Sequence, residues 1–122
     1  MSQTYIIRGI PTAQGRPRFY RRGSFVGTYD PKDSKQAKDN IAAQLVSQEP
    51  QYSESPLEVE IYFFLPRPKS LPKRVQYHVK KPDIDNLIKL LFDSCKGILW
   101  RDDTQICKVI AVKAYCHKLC PE

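Results

Sequence analysis

Apolar residues recur along this chain with two periods, and each period marks one kind of element. In LEVEIYFFL, residues 57–65, Leu57, Val59, Ile61, Phe63 and Leu65 share one face, with Glu58 and Glu60 opposite. That alternation predicts a strand packed by one side. Tyr62 and Phe64 add rings to the other side, which predicts a cover from a helix or a partner. In IDNLIKLLFDSC, residues 84–95, the apolar positions Ile84, Leu87, Ile88, Leu91, Phe92 and Cys95 follow helical spacing instead. Asp83 or Asp85 is expected to cap the start of this helix, and Lys96 and Gly97 to close its end. A narrower stripe of Ala37, Ile41, Ala42, Leu45 and Val46 predicts an earlier helix, reaching Gln48 and packed on a sheet by one face. Asp30-Pro31 supplies its start, an acid cap followed by proline at the first helical position.

Shorter runs complete the chain. TYIIRG, residues 4–9, reads as a strand ended by Gly9 and Pro11. RPRFYRRGSFVGTY, residues 16–29, reads as two short strands about a turn at Arg22-Gly23. QICKVIAVKAY, residues 105–115, is the last strand. Residues 66–82, PRPKSLPKRVQYHVKKP, are rich in proline and basic residues and show no period. They predict a mobile basic loop, and a long loop in a small domain is often functional. No repeat or boundary interrupts the 122 residues, so a single domain spanning 1–122 is expected.

Charge changes the picture. Twenty Lys and Arg oppose thirteen Asp and Glu, a formal net charge of +7. Such an excess favours an anionic partner, nucleic acid first and anionic membrane second, over ordinary solubility charge. The basic residues are clustered: Arg16, Arg18, Arg21 and Arg22 near the start, then Arg67, Lys69, Lys73, Arg74, Lys80 and Lys81. No apolar run approaches the ~20 residues of a bilayer span, and the N-terminus has no leader pattern, so a cytoplasmic protein is expected. Cys95, Cys107, Cys116 and Cys120 are then expected to be reduced thiols. CHKLC, residues 116–120, invites zinc, but Cys95 and Cys107 offer it no CxxC partner.

Against this basic background the acids gather at two places. Asp83 and Asp85 flank the start of the second helix, and Asp102 and Asp103 precede the last strand. Either of the first two alone would pass as a cap. As a pair they repel unless a cation lies between them. Hard divalent ions take one or two carboxylates and leave positions for phosphate and water, so D-x-D is half of a metal site. For the second acidic pair to complete it, the acidic turn must meet the N-terminal end of the helix. Lys89, four residues after Asp85, is either its ion-pair partner or a cation for a phosphate. Asp93 is expected to pair with Lys89 or Lys96. Carboxylates with Mg²⁺ inside a basic protein point to phosphodiester hydrolysis, the basic groups holding the polyanion against an acidic pocket.

KPDIDNLIKLLFD followed by ILWRDDTQI closely resembles the signature of the RusA-type Holliday junction resolvases, the endodeoxyribonuclease RusA family. GRPRF, the YDP before the first helix, and the late strand with Lys113 and Tyr115 extend the likeness. The resemblance implies an α+β fold, a small mixed β-sheet packed against two main helices. It implies an endodeoxyribonuclease that resolves four-way junctions by paired symmetric nicks in recombination and repair. Asp83, Asp85 and Asp103 would be catalytic and bind Mg²⁺, with Mn²⁺ as the other candidate ion, and Lys89 would stabilise the reacting phosphate. Arg16, Arg18, Arg21, Arg22, Lys73, Arg74, Lys80 and Lys81 would contact branched DNA. The family is a homodimer, and a two-fold dimer suits a two-fold junction. Tyr62, Phe64 and Ile98-Leu99-Trp100 are candidates for its surface. Where well-known members carry an arginine run before the first acid, this chain has Lys80-Lys81-Pro82, which lacks the bidentate fork. Two other readings remain: a non-catalytic DNA-binding module, and a nuclease for forks or flaps.

Overall fold

The computed structural model of the chain describes residues 2–15, 18–23, 25–29 and 32–116, with backbone alone for 18–22 and 25–29. In chain order the elements are β1 (Arg18–Arg22), β2 (Phe25–Tyr29), α1 (Lys32–Ser47), β3 (Leu57–Leu65), α2 (Ile84–Cys95), a single 3-10 turn (Asp103–Gln105) and β4 (Ile106–Tyr115). β1 and β2 form an antiparallel hairpin closed from Arg22 to Phe25, with Gly23 at a φ of 57° where the turn needs it. The Asp30-Pro31 helix start lies outside the described residues.

β3 and β4 are parallel neighbours, paired from Leu57 opposite Ile106 to Leu65 opposite Tyr115, with one shift of register after Leu57. Parallel strands need a crossover connection, and residues 66–105 supply it through α2. The helix therefore starts at the C-terminal ends of the strands and finishes beside their N-terminal ends. Its side chains build the core. Leu87 packs with Ile61 and Phe63 of β3. Cys95 and Trp100 pack with Leu45 of α1, and Leu57 and Val59 close against them. The most buried line on α2 is Leu87, Leu90, Ser94 and Cys95, and Ser94 satisfies its hydroxyl on the Leu90 carbonyl at 2.7 Å. α1 packs chiefly on α2 rather than on a sheet. The architecture is the expected small α+β fold. Its main sheet has two parallel strands, made mixed by one antiparallel bridge between Tyr77 and Ala114.

Other expectations change. Residues 4–9 form no strand among the described residues. Gln48 exchanges hydrogen bonds with the backbone of Ile6 at 2.7 and 3.0 Å, and Gln44 does the same with Arg8 at 2.9 and 2.7 Å. Amide side chains one helical turn apart thus take the role of a neighbouring strand.

The basic loop is anchored rather than mobile. His78 N–H donates to the Lys113 carbonyl at 3.1 Å, and Tyr115 N–H to the Gln76 carbonyl at 2.9 Å. Arg67 donates to the carbonyls of Cys116 and Pro72, each at 2.9 Å, with its guanidinium 5.4 Å from the Tyr115 ring centre. The outer face of β3 carries Tyr62 and Phe64 as expected. They stack at 6.4 Å and stay 54% and 52% exposed, so the described residues do not supply the expected cover. Cys95 and Cys107 are free, but Cys116 is disulfide-bonded, which corrects the reduced-thiol expectation there. The rest of CHKLC, with Cys120, lies outside the described residues.

Candidate active site

Asp83 occupies the N-cap position of α2 with extended backbone, yet its carboxylate makes no capping bond. The expected side-chain cap is replaced by a backbone bond, in which the Asp83 carbonyl accepts from Leu87 N–H at 3.2 Å. Asp85 lies in the first turn, where its Oδ1 accepts the neighbouring Asn86 N–H at 2.9 Å. Both acids are exposed. Their unused oxygens, at a helix N-terminus that already favours negative charge, are available to a cation.

The backbone beneath them is fixed by β4. Lys113 Nζ donates to the carbonyls of Lys80 at 2.6 Å and Pro82 at 2.8 Å, across a cis Lys81–Pro82 peptide. Next to Lys113, His78 lies against the Tyr115 ring at 4.8 Å. Burial first, and the Lys113 charge second, hold His78 below the ordinary histidine range, so it adds no charge at neutral pH. From the other side, Gln14 N–H donates to the Asn86 carbonyl at 3.0 Å, and Gly15 N–H to the buried Ser34 hydroxyl at 2.9 Å. Residues 14 and 15 therefore lie beside the first turn of α2 and α1 respectively.

Lys89 is exposed and forms no ion pair among the described residues, so the Asp85–Lys89 pair is not made. Asp93 pairs with Lys38 of α1 at 3.6 Å rather than with Lys89 or Lys96.

Asp103 sits at the other end of the helix. Gly97, with φ of 85°, turns the chain out of α2, and its N–H reaches the Trp100 carbonyl at 2.7 Å. The Trp100 ring meets Phe92 edge-on at 5.3 Å, and its Nε1 donates to Asp103 Oδ1 at 2.7 Å. Asp102 caps the 3-10 turn, accepting from Thr104 N–H at 3.3 Å. Its contact with Lys96 at 3.9 Å is solvent-exposed and worth little. Gln105 ties the turn down. Its Oε1 accepts from the N–H groups of Arg101 and Asp102, and its Nε2 donates to the carbonyls of Ser53 and Ser55, all within 2.7–3.0 Å. Burial pushes the Cys95 thiol up to about 12, with the Asp103 carboxylate as the second cause. Trp100 packs with Cys95, so the carboxylate it holds lies near the end of α2.

The twelve residues of α2 separate the two acidic groups. At 1.5 Å per residue that is about 18 Å. Within one chain the acidic turn does not meet the N-terminal end of the helix, and no cluster of three His, Cys, Asp or Glu among the described residues could hold a metal. The parallel pairing of β3 with β4 is the reason, since it starts β4 at the far end from Asp83. The donor set still suits a hard divalent ion, because every candidate is a carboxylate with an oxygen left over. It comes as two half-sites, Asp83 with Asp85 and Asp103 alone.

Lys73, Arg74, Lys80 and Lys81 are exposed on the loop leading into Asp83. Arg67 is spent on internal carbonyls instead. The side chains of Arg18, Arg21 and Arg22, and all of Arg16, lie outside the described residues. Sequence reasoning gives no role to Gln105 or to the Lys113 side chain. It offers Trp100 for the dimer surface, but that ring is 3% exposed and packed in the core.

The chain is 29% identical over 122 residues to the uncharacterized protein YqaN of Bacillus subtilis (strain 168), covering 91% of this chain and 86% of the relative. The sequence profile of endodeoxyribonuclease RusA matches residues 8–120, nearly the whole chain, and the protein therefore belongs to the RusA endodeoxyribonuclease family.

Proposed function

We infer that this protein is a divalent-metal-dependent endodeoxyribonuclease that cuts four-way DNA junctions as a homodimer. The observation that carries the reading is the pair of exposed, uncapped carboxylates Asp83 and Asp85, set among Lys80, Lys81 and an unpaired Lys89. Asp103 of the partner subunit completes the site. Two copies related by a two-fold axis, with their α2 helices antiparallel, bring the start of one helix to the end of the other. The same axis gives two equivalent sites, which matches paired nicks in opposed strands.

In each site Asp83 and Asp85, with Asp103 of the partner subunit, would hold the ion, Mg²⁺ or Mn²⁺. A bound divalent ion supplies Lewis acidity toward the scissile phosphate and a more acidic water. Lys89 stands one helical turn after Asp85 and offsets charge building on the phosphate. Lys73, Arg74, Lys80 and Lys81, with Arg16, Arg18, Arg21 and Arg22 from the hairpin, hold the DNA backbone against local acidity. Lys113 fixes the segment that carries Lys80 and Asp83.

The test is cleavage of a synthetic four-way junction, with fork and linear duplex beside it. Wild type yields nicked strands only with Mg²⁺, the junction fastest, and Asp83→Asn binds without cutting. Equal rates on all three substrates would remove the junction preference. The hydrogen bond from Trp100 to Asp103 favours one competing reading, in which the acids are structural and the protein only binds DNA. Metal-independent, salt-sensitive binding with no product strands would establish that reading.

A further inference from the structure

Asp103 differs from the other two acids in being half-buried and held by a side-chain donor from the core. We propose that Trp100 and Gln105 are positioning residues for the nuclease reaction, setting the Asp103 carboxylate so that Oδ2 is left to donate to the ion. The inference rests on reading Asp103 as a metal donor.

A carboxylate turns readily about its last bond, which exchanges its two oxygens. One strong hydrogen bond to a fixed donor stops that exchange and decides which oxygen stays free. The Trp100 indole is such a donor. Its N–H has no rotation of its own, and the bond at 2.7 Å is to a charged acceptor. The ring is 3% exposed, wedged among Leu45, Cys95 and Phe92, so the donor cannot drift.

Gln105 acts one level further out. A 3-10 turn of three residues has little stability of its own. Gln105 spends both ends of its amide binding that turn to the backbone at Ser53 and Ser55, just before β3. Trp100 thus fixes the carboxylate, and Gln105 fixes the backbone that bears it. Groups that orient a ligand in this way commonly change metal affinity by roughly 10–100-fold when removed.

The chain has a single tryptophan, so its indole N–H gives one resonance in the ¹⁵N-labelled full-length protein. Titrating Mg²⁺ without DNA should shift that resonance saturably, and Asp103→Asn should abolish the shift. An indole that does not respond at Mg²⁺ concentrations giving full cleavage would overturn the proposal while leaving the nuclease reading intact. Absence of cleavage on junction, fork and duplex alike would sink the nuclease reading instead. Trp100→Phe keeps a ring against Phe92 but removes the donor. It should raise the half-saturating Mg²⁺ for cleavage roughly tenfold, with most of the maximal rate returning at high metal. A lower unfolding temperature with unchanged half-saturation would mark Trp100 as merely structural. If Trp100→Phe fails to fold, the wild-type and Asp103→Asn titrations decide alone.

Discussion

The two ends of α2 hold their acids in opposite ways. At the start, Asp83 and Asp85 are exposed, and apart from the local Asn86 N–H bond to Asp85 the fold holds only their backbone, through Lys113 and the bonds of residues 76–78 to β4. At the finish, Asp103 is half-buried, and the fold controls the carboxylate itself through Trp100. The difference separates two costs. Leaving a carboxylate free keeps it available to a cation but ordered only when the cation arrives. Holding one oxygen pre-orients the group and removes half of its donor capacity. A site built from both kinds has a loose pair that captures the ion and a rigid single donor that fixes its position.

Substitutions at each end should break this comparison in different observables. Asp83→Asn should reduce junction cleavage at least about a thousandfold, about 4 kcal/mol in barrier. Its unfolding midpoint in urea should stay within about 0.5 kcal/mol of wild type, because the side chain makes no cap bond. Trp100→Ala should do the reverse first, costing about 4 kcal/mol of stability by emptying a core position, as read by the same urea titration. Lys113→Met removes two bonds from a cation to loop carbonyls. It should cost about 2 kcal/mol of stability and lower cleavage as well, since Asp83 then loses its support.

The smallest effect is one of pH. His78 has a lowered pKa in the fold, so on acidification the unfolded chain takes up the proton first. Stability contributed by neutral His78 is complete above the ordinary histidine range, about 6.5, and is lost as pH falls below it. Melting temperatures at pH 7.5 and 5.5 should diverge less in His78→Phe than in wild type.

Much of this was legible in the sequence where one face of an element settles its packing. The period of two in residues 57–65 became β3 with alternating burial, and the helical period of 84–95 became α2, closed by Gly97. Residues 4–9 have strand composition but are held by Gln44 and Gln48, and no period in α1 announces that side-chain amides will do a strand's work. The anchoring of residues 66–82 depends on bonds to β4, far away in sequence, so a proline-rich run without period read as mobile. The candidate acids stand out in the sequence by their spacing and charge context. Their separation does not, because it follows from the parallel pairing of β3 with β4, which neither strand's own pattern reveals.

The central claim, that each site draws Asp83 and Asp85 from one subunit and Asp103 from the other, is tested most directly by mixing two inactive variants. Asp83→Asn and Asp103→Asn proteins, each unable to cut, are combined and allowed to exchange subunits before a junction is added with Mg²⁺. A heterodimer then carries one site with both changes and one with neither. Random exchange restores roughly a quarter of the wild-type sites, each giving a single unpaired nick. A mixture with demonstrated exchange that still cuts nothing would contradict the account.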